Sequence, residues 1–89
     1  MGSMHEKILE LDVGDQFKLT LADGSTVSAV VSDVEQTPNF YELGLDSNDG
    51  SRYILGVVKE DAPTVEFDEW DAEDETWKNV EPPKAVKLP

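Results

Sequence analysis

Apolar and polar residues alternate twice along the first two thirds of the chain, each time around an Asp-Gly-Ser triplet. The first copy runs Phe17-Lys18-Leu19-Thr20-Leu21, breaks at Ala22-Asp23-Gly24-Ser25, and resumes as Thr26-Val27-Ser28-Ala29-Val30-Val31. The second runs Tyr41-Glu42-Leu43-Gly44-Leu45, breaks at Asp46-Ser47-Asn48-Asp49-Gly50-Ser51, and resumes as Arg52-Tyr53-Ile54-Leu55-Gly56-Val57. Period-two alternation sends successive side chains to opposite faces of a strand, and a short Gly-containing break joins two such strands. Two consecutive β-hairpins are therefore predicted over residues 14–58.

Register decides which residues share a face. A two-residue loop at Asp23-Gly24 would set Leu19 against Ser28. A three-residue loop, Ala22-Asp23-Gly24, sets Leu21 against Ser25, Leu19 against Val27 and Phe17 against Ala29. The second choice makes one face apolar and needs Gly24 at positive φ, which glycine adopts without steric cost. The same turn at Asn48-Asp49-Gly50 pairs Leu45 with Tyr53, Leu43 with Leu55 and Tyr41 with Val57. It also sets Asp46 against Arg52, a favourable cross-strand charge pair.

Outside the hairpins the pattern is shorter. Residues 5–11 hold Ile8, Leu9 and Leu11 and suit either one or two helical turns or a short first strand. Val13-Gly14-Asp15 reads as a turn. The second long strand, about 25–35, carries Val27, Ala29 and Val31 on one parity and Val30 and Val34 on the other. Apolar residues on both faces fit a strand that bends. Gln36-Thr37-Pro38-Asn39 is a loop, since proline cannot donate to a ladder. Lys59 to Pro63 is a polar connection. Residues 64–70 alternate with Val65 and Phe67 inward, 71–75 form a tip, and 76–80 return as a short strand. The expected core is Phe17, Leu19, Leu21, Val27, Ala29, Val31, Leu43, Leu45, Tyr53, Leu55, Val57, Val65 and Phe67, with Tyr41 favoured to join it.

The fold class that follows is mostly β: a small antiparallel barrel of five or six strands, with an N-terminal helix as the option at 5–11. Met1-Gly2-Ser3 reads as a tag remnant, residues 4–80 as one domain, and 81–89, with three prolines, as an extended or disordered tail.

Charge narrows the function. Twenty acidic residues face seven basic ones among 89 residues, a net −13. That surface repels nucleic acid at low salt and opposes anionic membranes. No apolar run reaches the ~18 residues of a membrane span, and no leader pattern is present, so a cytoplasmic protein is expected. An adaptation to high salt, an acidic patch for a basic partner and a nucleic-acid mimic each explain the acidity. The composition is similar to that of small acidic proteins of halophilic archaea.

Catalytic chemistry finds little to use. Cysteine is absent, the one histidine, His5, stands near the N-terminus, and no carboxylate pair is singled out for acid–base work. Asp46 to Gly50 lacks the spacing of a calcium loop. No enzyme, metal or cofactor is expected. The candidate partner-binding residues are Trp70 and Trp77 with the acids around them, Glu66, Asp68, Glu69 and Asp71. Seven of the ten residues from 66 to 75 are acidic. Carboxylates steer a basic partner and aromatic rings supply buried area, so a basic or proline-rich protein surface is the expected partner. The plainer reading packs the two tryptophans across a hairpin and leaves the acids as a solvated edge.

Residues 14–58 resemble an SH3-like small barrel, and most nearly an Sm-like one. Asp33 followed by Asn39 is similar to the Asp…Asn of the first Sm motif, and Ile54-Leu55-Gly56 to the Ile-Arg-Gly of the second. The resemblance implies RNA binding through Asp33 and Asn39 and a ring oligomer. The charge points instead to a monomer or dimer that meets protein.

Overall fold

The alternating runs form the strands they predict. The computed structural model describes residues 4–59 and 64–88; the tag remnant expected at 1–3 and most of the connection expected at 59–63 lie outside the described residues. In chain order the elements are α1 (Met4–Leu9), β1 (Gln16–Thr20), β2 (Thr26–Gln36), β3 (Phe40–Ser47), β4 (Arg52–Val58), β5 (Thr64–Asp71), β6 (Thr76–Asn79) and β7 (Ala85–Lys87). The seven strands make one antiparallel sheet in the order β6-β5-β4-β3-β2-β1-β7. The fold is mostly β, as expected, with the N-terminal segment taking the helical option of the two, but the strands number seven instead of five or six. Among the described residues β6 and β7 are the two edges and do not pair, so the ladder is open where a closed barrel was expected.

Both hairpins take the three-residue register. Leu19 faces Val27 and Phe17 faces Ala29; Leu45 faces Tyr53, Leu43 faces Leu55 and Tyr41 faces Val57. The turns share one hydrogen-bond pattern. The Leu21 amide donates to the Ser25 carbonyl at 2.7 Å and the Gly24 amide to the Leu21 carbonyl at 2.9 Å; Ser47, Ser51 and Gly50 repeat it at 2.9 and 3.2 Å. Gly24 and Gly50 have φ of 91° and 89°. A Cβ built on either would meet nothing within 4 Å, so any cost of a side chain there comes from the backbone alone. Gly24→Val is expected to lose more than about 1 kcal/mol of stability in urea unfolding. An unchanged midpoint would contradict the left-handed turn.

A bulge explains the two parities of β2. Register slips between Val31 and Asp33, and the extra residue flips every side chain after it. Val34 therefore turns inward opposite Leu43, while Val30, before the bulge, faces out. The inner face carries one cluster of buried residues from β1 to β5, closed by Ile8 and Leu11 from the N-terminal segment and Val86 from β7. Ten of the thirteen expected core residues are buried; Leu21, Val27 and Val65 are half-buried and pack against them. Tyr53 and Phe67 stack at 5.0 Å.

Two segments differ from expectation or resolve it. Residues 4–9 are helical, too short to stand alone, and α1 packs on β4 and β7. The Tyr41 hydroxyl donates to the Leu11 carbonyl at 2.5 Å and ties the segment after α1 to β3. Residues 81–89 were expected to trail from the domain. Ala85–Lys87 instead pairs with β1, Val86 opposite Leu19, because one apolar side chain suffices to close the core beside Leu19. Pro83 is also buried.

Candidate interaction face

The outward residues of β3 to β6 form rows across the strands. One row holds Asp46, Arg52, Trp70 and Trp77: Asp46 faces Arg52, and Trp70 faces Trp77. The Tyr53–Glu69 pairing sets Arg52 opposite Trp70. The two indoles meet edge to face, centroids 5.3 Å apart and planes at 64°. Both rings are half-buried. The Arg52 guanidinium lies 6.0 Å from the Trp70 ring and 5.8 Å from the Trp77 ring, within cation–π range. Its ion pair with Asp46 is long, 3.8 Å, and exposed, so it adds little.

The neighbouring rows are acidic and short of side chains. Gly44, Ile54, Asp68 and Asn79 make the next row, and Glu35, Glu42, Gly56 and Glu66 the one after. Glycine at 56 leaves a small hollow between Glu42, Ile54, Glu66 and Asp68. Glu42 is half-buried there. Desolvation raises its carboxyl above the ordinary carboxylate range, and the charges of Glu35, Asp68 and Glu66 push the same way.

A raised carboxyl means that the folded state holds this proton more tightly than the unfolded chain. Ionising Glu42 therefore destabilises the fold. The penalty is absent below the ordinary glutamate range and complete above the raised value. Glu42→Gln is expected to raise the melting temperature at neutral pH. The gap should close as pH is lowered toward about 4, and should narrow as salt screens the neighbouring charges. A variant less stable than the parent at neutral pH would contradict this.

The expected partner-binding residues divide between the two faces. Trp70, Trp77, Glu66 and Asp68 share the outer face. Glu69 and Asp71 have the opposite parity on β5 and do not join them. Asp71 instead holds the hairpin tip: Lys78 donates to Asp71 and Asp74 at 2.7 and 2.8 Å, and the Glu73 and Asp74 amides donate to Asp71 Oδ1. Hydrogen bonds from Lys78 and from those amides lower the Asp71 carboxyl. Arg52, Glu42 and Glu35 complete the outer face and were missed as site residues. The Arg52–Asp46 register was legible, but the step from β4 to β5 that sets Arg52 beside Trp70 was not.

Asp33 lies beside the β2 bulge and faces Gly44. Asn39 sits in the β2–β3 turn, where the Thr37 hydroxyl accepts the Asn39 and Phe40 amides at 3.1 Å. The strand between them spans about 10 Å or more, so the structure does not bring the two together. Leu55, within Ile54-Leu55-Gly56, is fully buried. Among the described residues no three His, Asp or Glu side chains are arranged to hold a metal ion, and no helix is long and apolar enough to cross a membrane.

Comparison with protein-family models, with curated proteins and with solved structures finds no match to this chain.

Proposed function

We propose that this chain is a non-enzymatic interaction module that meets a basic protein segment through the Trp70–Trp77 face. The carrying observation is Arg52, whose guanidinium already lies within 6.0 Å of both indoles. The ring pair accepts a cation from its own chain, so an incoming Arg or Lys competes for the same place. Asp68, Glu66 and Glu42 beside it steer such a segment in and disfavour acidic ones. Arg52 is exposed and held by one long ion pair and the two ring contacts, so moving it aside costs little beyond the ring contacts that an incoming cation regains. The architecture proposed alongside is kin to SH3-like or Sm-like small barrels, with the last seam left open. The analogy concerns fold and carries no activity. The module acts as a cytoplasmic monomer or dimer.

The test compares the parent with a Trp70→Ala, Trp77→Ala double variant in pull-downs. Both rings lie on the outer face, so the variant should fold, which circular dichroism checks. Partners held by the parent should be lost by the folded variant. Recovery of the same partners with both would make the tryptophans structural and overturn the mechanism.

A further inference from the structure

A second outer-face feature lies at the other end of the sheet, over β1, β2 and β7. Val30 points outward there and is 37% exposed. Around it runs a groove of about 640 Å³, within the size range of small-molecule sites. One wall is the β3–β4 turn. It is pinned to β2 by two hydrogen bonds: the Asn48 amide donates to the Ser28 carbonyl at 2.9 Å, and the Ser28 amide to Asn48 Oδ1 at 3.2 Å. The other wall is Lys87 and Leu88 at the end of β7. One wall is a turn tied to β2 and the other continues from β7, so the groove is formed before any ligand arrives.

The cations of the chain indicate what fits. Of seven basic residues, four are engaged by their side chains. Lys7 donates to the Val86 carbonyl, Arg52 lies over the tryptophans, and Lys59 lies over the Tyr41 ring. Lys78 holds Asp71 and Asp74. Lys84 makes no side-chain ion pair among the described residues and does not line the groove. Lys18 and Lys87 remain. They face each other across β1 and β7, both line the groove, and neither side chain makes an ion pair or hydrogen bond among the described residues. Like charges directly opposite on neighbouring strands are unfavourable. Here they stand together in a chain with twenty carboxylates.

We propose that this groove binds an amphiphilic organic anion. Its apolar body lies over Val30 and its single carboxylate sits between Lys18 and Lys87. Asp46 lines the groove two strands away from Lys18, which places the anionic end at the lysines and disfavours a second negative charge.

The test is an amide NMR titration with octanoate, with acetate and octyltrimethylammonium as controls. Octanoate is expected to give saturable shifts at Lys18, Ser28, Val30, Asn48 and Lys87. Acetate, lacking the apolar body, and the cation, lacking the carboxylate, should give none there. A Lys18→Gln, Lys87→Gln double variant should keep its spectrum and bind octanoate at least tenfold more weakly. Absent or scattered shifts, an equal response to either control, or unchanged affinity in the variant would overturn the proposal.

Discussion

Leu19→Ala is expected to cost about 2 to 4 kcal/mol. Leu19 is 0% exposed and sits on β1 between β2 and β7, facing Val27 on one side and Val86 on the other. Residues fixed in a ladder on both sides cannot move far to fill the space left by three carbons, so most of the cavity persists. A domain of this length has about 4 to 13 kcal/mol of stability in all. The loss should lower the melting temperature by about 10 °C or more. A cost below about 1 kcal/mol would mean that the inner face is not packed as described.

Ending the chain after Lys84 is expected to cost about 3 kcal/mol or more, from lost apolar burial and lost ladder hydrogen bonds. The cut removes Val86, which is 2% exposed, and uncovers Leu19 beneath it. It also removes the carbonyl that anchors Lys7 of α1 and leaves β1 as an unpaired edge, open to association with other chains. Urea unfolding of the truncated chain reads the loss. A midpoint equal to the parent's would show that residues 85–88 add nothing to the fold.

That second experiment bears on the part of the fold that was hardest to read. The hairpins were legible because two independent signals agreed: the alternation gave the inward set, and Gly24 and Gly50 gave the turn that brings the inward sets together. Strand β7 offers neither signal. It has three residues and a single inward side chain, and it follows Pro82-Pro83, which speaks for an extended chain without saying what it pairs with. Its place is fixed by Leu19 needing a cover, a requirement visible only after β1 is placed. The N-terminal segment was ambiguous for a similar reason, since seven residues are too few to separate a period of 3.6 from one of 2.

The candidate face was half legible. The tryptophans and the acidic run were evident, but reading the run as one block overlooked its alternation. Glu66 and Asp68 share a face with Trp70, whereas Glu69 and Asp71 have the other parity. Two further acids of the outer face were overlooked, Glu42 on the regular alternation of β3 and Glu35 on β2, beyond the bulge that shifts its parity.

Both tryptophans of the chain stand in the Trp70–Trp77 pair, so tryptophan fluorescence, excited on the long-wavelength side of tyrosine absorption, reads this face. The most direct test of the interaction proposal is therefore a fluorescence titration with a short Arg- and Lys-rich peptide, beside an acidic peptide and a proline-rich peptide of equal length. The basic peptide should give a saturable spectral change that weakens with added salt, and Trp77→Ala should raise its half-saturation at least about tenfold, as expected for an aromatic hot spot. The acidic peptide should give none. No response to the basic peptide, or an unchanged half-saturation in the variant, would contradict the assignment of this face as the partner-binding surface.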